Sequence, residues 1–180
     1  MARVHVTNLA TLADEVARVR PQKVVTVIDP GTALPDLPEL ATEAHLRLFF
    51  HDLSAPRTAA DILPSRSDMQ TILTFADALG PDGILVHCFA GVSRSTATAY
   101  AIACMYNPGR EQELAQMLRQ RGPHAIPNRL MVAFADDLLG RGGRMNEAIA
   151  ALPPPHRPMF ERRFELPLVW ELDAAPGDPV

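Results

Sequence analysis

The chain has 180 residues, 47% of them hydrophobic, which suits one soluble domain with a sizeable core. Its net charge of −4 comes without the basic stripe that binds nucleic acid or anionic membranes, and no apolar run approaches the roughly 20 residues of a membrane span. Two cysteines do not make a disulfide framework, and the start Met-Ala-Arg-Val-His-Val lacks a secretory hydrophobic segment, so we expect a cytoplasmic protein.

Predicted strands and helices alternate along most of the chain. In chain order they are a strand at 4–6, a helix at 9–20, strands at 23–28 and 44–50, a helix from Ser67 or Asp68 to Leu79, a strand at 83–88, and helices at 93–107, 110–121 and 128–139. This alternation is typical of an α/β fold, with a mostly parallel central sheet flanked by helices on both faces.

The composition changes from about Gly140. Residues 144–152 predict one more short helix, which three prolines at 153–155 end. The proline-rich remainder is too apolar for a solvated linker, because it carries Phe160, Phe164, Leu166, Leu168, Val169 and Trp170. We therefore expect a domain at 1–142 and a C-terminal extension at 143–180, docked on that domain or on a second copy in a homodimer. A disordered tail is the alternative.

The most informative motif is residues 87–95, His-Cys-Phe-Ala-Gly-Val-Ser-Arg-Ser. It joins a buried strand to a helix, so Cys88 lies at the carboxyl edge of the sheet, where open α/β proteins bind ligands. Successive backbone amides at a helix start form a cradle for an anion, and Gly91 lets the backbone approach it closely. Arg94 offers a planar fork to two phosphate oxygens. The same positive surroundings favour the ionised sulfur of Cys88, which is the nucleophilic form.

Neighbouring residues support this interpretation. Ser95 is placed to hydrogen-bond the sulfur when it leaves, and His87 to brace the loop backbone from behind. A cysteine and an arginine six apart are a weak signal alone, and the alternative is a core cysteine beside a solvated arginine. The strand, the glycine and the Ser-Arg-Ser helix start make the signal specific. The predicted phosphate-binding residues are Phe89, Ala90, Gly91, Val92, Ser93 and Arg94.

The segment 84–97, ILVHCFAGVSRSTA, resembles the phosphate-binding loop of the cysteine-dependent protein tyrosine phosphatases, nearest to compact dual-specificity-like and bacterial tyrosine-phosphatase-like proteins. Asn128, after Pro127 in HAIPNRLMVAFADDLL, resembles the asparagine that braces the active-site loops of these enzymes. The resemblance covers about residues 1–142. It implies a phosphocysteine on Cys88, phosphoryl binding by Arg94, an aspartate general acid on a separate loop, and no metal or other cofactor. Sixteen arginines against one lysine are typical of a GC-rich bacterial genome.

Asp52 is the first candidate for the general acid. It follows the strand 44–50 at the same sheet edge as Cys88, 36 residues upstream, which is close to the spacing in compact members of the family. It lacks the Trp-Pro that precedes this aspartate in the larger tyrosine-specific enzymes. Asp61 is the rival, with a turn residue as its other interpretation, and the remaining alternative is that this stretch holds no general acid. His51 and His45 could suggest a metal, but no further ligand cluster follows. We place His51 at the pocket mouth, with a merely exposed side chain as the alternative.

The sequence therefore predicts a protein-tyrosine or dual-specificity-like phosphomonoester hydrolase, acting on a phosphorylated protein or a small phosphomonoester. Residues 89–93 hold no basic side chain, which disfavours polyanionic inositol phosphates. Two other functions stay open. One is a catalytically weak module that binds phospho-residues. The other is a sulfurtransferase or arsenate-reductase-like enzyme, for which Cys104, expected to be a small buried residue, is the only second thiol.

Overall fold

The computed structural model describes residues 2–156 and 163–169, and this part of the chain contains one sheet of five strands. The strands are β1 (Arg3–Asn8), β2 (Lys23–Ile28), β3 (His45–Phe49), β4 (Ile84–Cys88) and β5 (Phe164–Pro167). Their order across the sheet is β3-β2-β4-β1-β5. The first four strands are parallel, and β5 pairs antiparallel with β1. β2 and β4 lie inside the sheet. Their sequences are nearly continuous apolar runs, because both faces of each strand are buried.

Helices cover both faces of the sheet. They are α1 (Leu12–Val19), α2 (Arg66–Phe75), α3 (Arg94–Tyr106), α4 (Glu111–Arg121), α5 (Arg129–Leu138) and α6 (Arg144–Ala150). On one face α1 packs its buried side chains against Val24 and Leu85. On the other, α3 is buried along most of its length and lies in the main core with side chains of α2, α4, α5 and α6. The predicted fold class, a mostly parallel central sheet flanked by helices, is confirmed.

Element boundaries differ from the predictions most at two helix starts and at the end of α2, which stops at Phe75 rather than Leu79. The first predicted helix begins as a 3₁₀ turn at Leu9–Thr11, because the Asn8 side chain accepts the Thr11 amide. The second begins after Ser65, two or three residues before the predicted cap. Ser65 and Asp68 form a reciprocal capping box, so Asp68 lies inside the first turn of α2.

The described part of the C-terminal extension packs against residues 1–142 of its own chain. α6 contacts α4 and α5, and β5 pairs with β1. The Leu168 amide donates to the carbonyl of Ala2, and the Leu168 side chain is fully buried. Phe160 and Trp170 lie outside the described residues. The division at 142/143 and docking on a second copy stay predictions. Every helix of the described residues is too short or too polar to span a bilayer.

Candidate active site

A cavity of about 430 Å³ opens where β2, β3 and β4 end. Such a position, at the carboxyl edge of a parallel sheet, is where α/β folds place ligands. The cavity is lined by Asp29, Asp52, Cys88, Phe89, Ala90, Val92, Ser93, Arg94, His124 and Ile126. The structure therefore brings the predicted nucleophile, arginine and first candidate acid into one site.

The sulfur of Cys88 lies at the base of this cavity. The Gly91 amide donates to Sγ at 3.2 Å, and Ser95 Oγ lies 3.1 Å from Sγ. Gly91 has a φ of +70°, and a Cβ there would lie 3.1 Å from the carbonyl oxygen of Thr7. Glycine is therefore required both for the turn and for the close packing of the loop against β1.

Arg94 is a buried cation whose donors are only partly used. Its Nη1 donates to the Phe50 carbonyl at 2.6 Å and to Asp29 Oδ1 at 3.1 Å, and its Nη2 donates to Asp29 Oδ2 at 3.3 Å. The Nε–H is buried and has no hydrogen-bond partner among the residues that the structure describes. The Nη1–Nη2 edge of the guanidinium is therefore bound by Asp29. The Nε–H lies on the other edge of the guanidinium.

Sequence reasoning missed Asp29. It interpreted Asp29-Pro30-Gly31 only as the break after a strand. The signal was present, because Asp29 directly follows the buried strand β2 and so reaches the same sheet edge as Asp52. What could not be seen from the sequence is that β2 lies next to β4 in the sheet, which brings Asp29 to Arg94.

Asp52 connects three segments at the cavity. Its Oδ1 accepts from Ser93 Oγ at 2.7 Å and from Asn128 Nδ2 at 2.9 Å. The Asn128 side-chain oxygen accepts the amides of Leu130 and Met131 and so caps α5. Asn128 thus ties the Asp52 loop to the start of a helix. The two hydrogen bonds that the carboxylate accepts from described residues fall on one oxygen.

The rival acid and the neighbouring histidine lie elsewhere. Asp61 is half-buried at the surface, and its Oδ2 accepts the amides of Thr58 at 2.7 Å and Arg57 at 2.6 Å, which hold the pKa of this carboxyl below its ordinary value. Its geometry is that of a turn residue. His51 Nδ1 accepts the Ile62 amide at 3.0 Å, and neither His51 nor Asp61 is among the residues that line the cavity.

By sequence, neither a protein-family model nor a curated protein matches the chain. By structure, it is similar to DUSP15, with 15% identity and a TM-score of 0.58, covering 85% of this chain and 94% of that one. It is similar to human DUSP28, with 21% identity and a TM-score of 0.55, covering 77% and 88%. A human tyrosine phosphatase-like serine/threonine/tyrosine-interacting protein gives 16% identity and a TM-score of 0.61, covering 77% and 92%. The chain has the protein tyrosine phosphatase fold. The predicted resemblance is confirmed at the level of fold.

A chain of buried polar groups lies behind the loop that follows β4. His87 Nδ1 lies 3.4 Å from the carbonyl oxygen of Cys88, and His87 Nε2 lies 2.7 Å from Thr26 Oγ1. Thr26 Oγ1 is also 2.7 Å from His45 Nε2. Burial lowers the pKa of both histidines to about 4, so both rings are neutral near pH 7. His87 thus lies where the sequence placed it, against the backbone of the loop.

Two other expectations concern metals and the second thiol. Within residues 2–156 and 163–169, no group of three or more His, Cys, Asp or Glu side chains could hold a metal ion. His45 is buried in the sheet beside Thr26. Cys104 is fully buried in α3, and desolvation raises the pKa of its thiol. It is therefore poorly placed to resolve an intermediate in thiol chemistry.

Proposed function

We propose that the protein is a phosphomonoester hydrolase of the protein-tyrosine or dual-specificity type, working through a phosphocysteine on Cys88. The observation that carries this proposal is the cavity itself, which holds the Cys88 sulfur, the open edge of Arg94 and the Asp52 carboxylate together. The substrate is a phosphorylated protein or a small phosphomonoester. A bacterial origin and a cytoplasmic location stay predictions from composition and sequence.

Phosphate binding follows from the donors that the cavity offers. The loop amides and the start of α3 supply a positive field. Arg94 Nε–H and the neighbouring Nη2–H lie on one edge of the guanidinium and match two phosphate oxygens. This leaves the third oxygen for the loop amides.

The reaction is two displacements at phosphorus. Cys88 Sγ forms a bond to phosphorus while the bond to the ester oxygen breaks, and Asp52 gives its proton to the departing oxygen. Water then attacks phosphorus, the S–P bond breaks, and Asp52 takes a proton from the water. Ser95 Oγ, 3.1 Å from Sγ, donates a hydrogen bond to the sulfur as it leaves. The products are an alcohol or phenol and inorganic phosphate.

The rim of the cavity favours a substrate with one phosphate on an apolar group. Among the residues that the structure describes, Arg94 is the only arginine or lysine that lines it, and Asp29 and Asp52 add negative charge. Phe89 and Ile126, which are 61% and 49% exposed, give the rim two apolar side chains. A second phosphate would meet carboxylates rather than cations, whereas an aryl group would contact the phenylalanine.

Hydrolysis of p-nitrophenyl phosphate and of an alkyl phosphate tests the proposal. We expect Cys88→Ser to reduce turnover to background. Asp52→Asn should lower kcat by about a hundredfold or more for the alkyl ester, whose leaving oxygen needs a proton. The decrease in kcat should be smaller for p-nitrophenyl phosphate, because nitrophenolate leaves without one. Asp61→Asn is the matched control, and its kcat should stay within about twofold of the parent because Asp61 lies outside the cavity.

Two outcomes would contradict parts of this account. If Asp52→Asn hydrolysed the alkyl ester like the parent while Asp61→Asn did not, the general acid would be Asp61. If the parent bound tungstate but hydrolysed neither ester, the protein would be a phospho-residue binding module instead.

A further inference from the structure

The loop between α4 and α5, residues 122–128, forms one wall of the cavity, and we name it the wall loop. It supplies His124 and Ile126 to the lining. It is also bonded directly to the phosphate-binding loop, because the Ile126 amide donates to the Val92 carbonyl at 2.8 Å and the Asn128 amide donates to the Ser93 carbonyl at 3.3 Å. A shift of the wall loop therefore moves groups that would contact phosphate.

The C-terminal strand β5 backs the wall loop from the other side. The ring of Phe164 lies against His124, edge to face, with centroids 5.9 Å apart and planes at 71°. It also lies over Gly122, where a Cβ would come within 2.7 Å of Phe164 Cε1. Gly122 has an ordinary φ of −118°, so the missing side chain serves this close approach and not a special backbone conformation.

Other contacts anchor β5 independently of Phe164. The strand pairs along β1, Arg3 Nη1 lies 2.6 Å from Glu165 Oε1, and Arg163 Nη1 lies 3.1 Å from the buried carboxylate of Glu15. Leu166 is fully buried. Truncating Phe164 therefore removes the support of the wall loop while these contacts still hold the strand in place.

We propose that Phe164 is a positioning residue of the active site, which holds His124 and the wall loop against the phosphate-binding loop. His124 is then a substrate-contacting residue that influences specificity. β5 lies outside residues 1–142, where the sequence resembles the phosphatases, and is nevertheless part of the catalytic unit. This inference rests on the proposed function. It assigns a role in substrate binding and none in the chemical steps, because Phe164 meets the wall loop at Gly122 and His124, whereas Asp52 is held by Asn128 at the other end of that loop.

The first test measures KM and kcat for p-nitrophenyl phosphate. Phe164→Ala should raise KM about fivefold or more with kcat within about twofold, because binding geometry is lost and the nucleophile is untouched. His124→Ala should raise KM similarly. The double variant should have a KM no higher than His124→Ala, since Phe164 acts through His124.

A second test approaches the contact from the wall loop. Gly122→Ala places a Cβ against the Phe164 ring and should raise KM, although alanine fits the backbone there. Adding Gly122→Ala to Phe164→Ala should cause no further rise, because the clashing ring is gone. Additive increases would contradict a direct contact between these positions.

Glu165→Gln is the control for a merely stabilising strand. It breaks the ion pair of Glu165 with Arg3 and leaves Phe164 intact. It should lower the melting temperature and leave KM within about twofold of the parent. The proposal is overturned if Phe164→Ala leaves KM unchanged, or if Glu165→Gln raises KM as much as Phe164→Ala at an equal loss of melting temperature.

Calorimetric binding of tungstate keeps this inference separate from the proposed function. If the parent hydrolysed no ester, the function would fail, but Phe164→Ala should still bind tungstate about threefold or more weakly than the parent. Equal tungstate affinity would overturn the role of Phe164, whatever the parent's activity.

Discussion

At the scale of single residues, the orientation of Arg94 is set by the number of its donors. A guanidinium has five N–H groups. Two point to the Asp29 carboxylate and one to the Phe50 carbonyl, which leaves one Nε–H and one Nη2–H on the same edge. Because Asp29 is bidentate, it fixes the plane of the fork as well as its position. Its side chain is 43% exposed, whereas that of Arg94 is 4% exposed, so the ion pair lies where the cavity meets solvent.

Replacing Asp29 with asparagine tests this arrangement. Asp29→Asn keeps the size of the side chain but removes the charge and one of the two acceptors. We expect KM and the inhibition constant of tungstate to rise about three- to tenfold, since Arg94 is then less well oriented before substrate arrives. Asp14→Asn, on the exposed side of α1, removes an equal charge away from the site and serves as the control. Tighter tungstate binding in Asp29→Asn would show instead that Asp29 competes with phosphate for the arginine.

At the scale of secondary-structure elements, three strands share one polar chain under the active site. Donation from His87 Nδ1–H to the Cys88 carbonyl leaves His87 Nε2 as an acceptor for the Thr26 hydroxyl. Thr26 Oγ1 then accepts from His45 Nε2–H. This order needs both imidazoles neutral, which agrees with the lowering of their pKa values by burial. The chain links β3, β2 and β4 at the strand that ends in the nucleophile.

This polar chain predicts a loss of stability at acidic pH. The pKa of each ring is about 4 in the folded protein and about 6.5 in an unfolded chain, so between these pH values only the unfolded chain takes up the protons. The stabilising contribution is complete above pH 6.5 and is lost as the pH falls towards 4. Each histidine lowers the free energy of unfolding by at most about 1.4 kcal/mol per pH unit.

Urea unfolding of the parent and of His45→Leu, at several pH values between about 7 and 4.5, measures this contribution. The free energy of unfolding of the variant should depend less steeply on pH, because its unfolding takes up about one proton fewer than that of the parent. Histidines outside this polar chain, such as His5, contribute equally to both proteins and cancel in the comparison. Parallel curves for parent and variant would mean that His45 does not titrate as described.

At the scale of the whole molecule, local patterns predict the parallel sheet and the loop after β4. The alternation of apolar strands with helices is continuous in sequence, and residues 88–95 carry their own turn and helix start. The pairing of distant segments could not be predicted. The alternating Phe164, Leu166 and Leu168 indicate docking, but pairing with β1 depends on an edge that only the assembled sheet presents.

That edge also explains why the chain needs β5. Without it, β1 would present unpaired backbone groups along one side of the sheet, and β5 covers them. Because β5 runs antiparallel, its first residue, Phe164, lies opposite Val6 and reaches the wall loop. Protection of a sheet edge and support of the site thus come from the same four residues.

Trapping of the covalent intermediate tests the central claim most directly. Asp52→Asn mixed with p-nitrophenyl phosphate should accumulate phosphocysteine, because this leaving group departs without an acid while hydrolysis of the S–P bond lacks its base. After rapid acid quenching, intact mass and peptide mapping should show one added phosphoryl group on Cys88, and none in Asp52→Asn combined with Cys88→Ser. A phosphoryl group on another residue, or nitrophenol release that Cys88→Ser leaves unchanged, would contradict a mechanism through this cysteine.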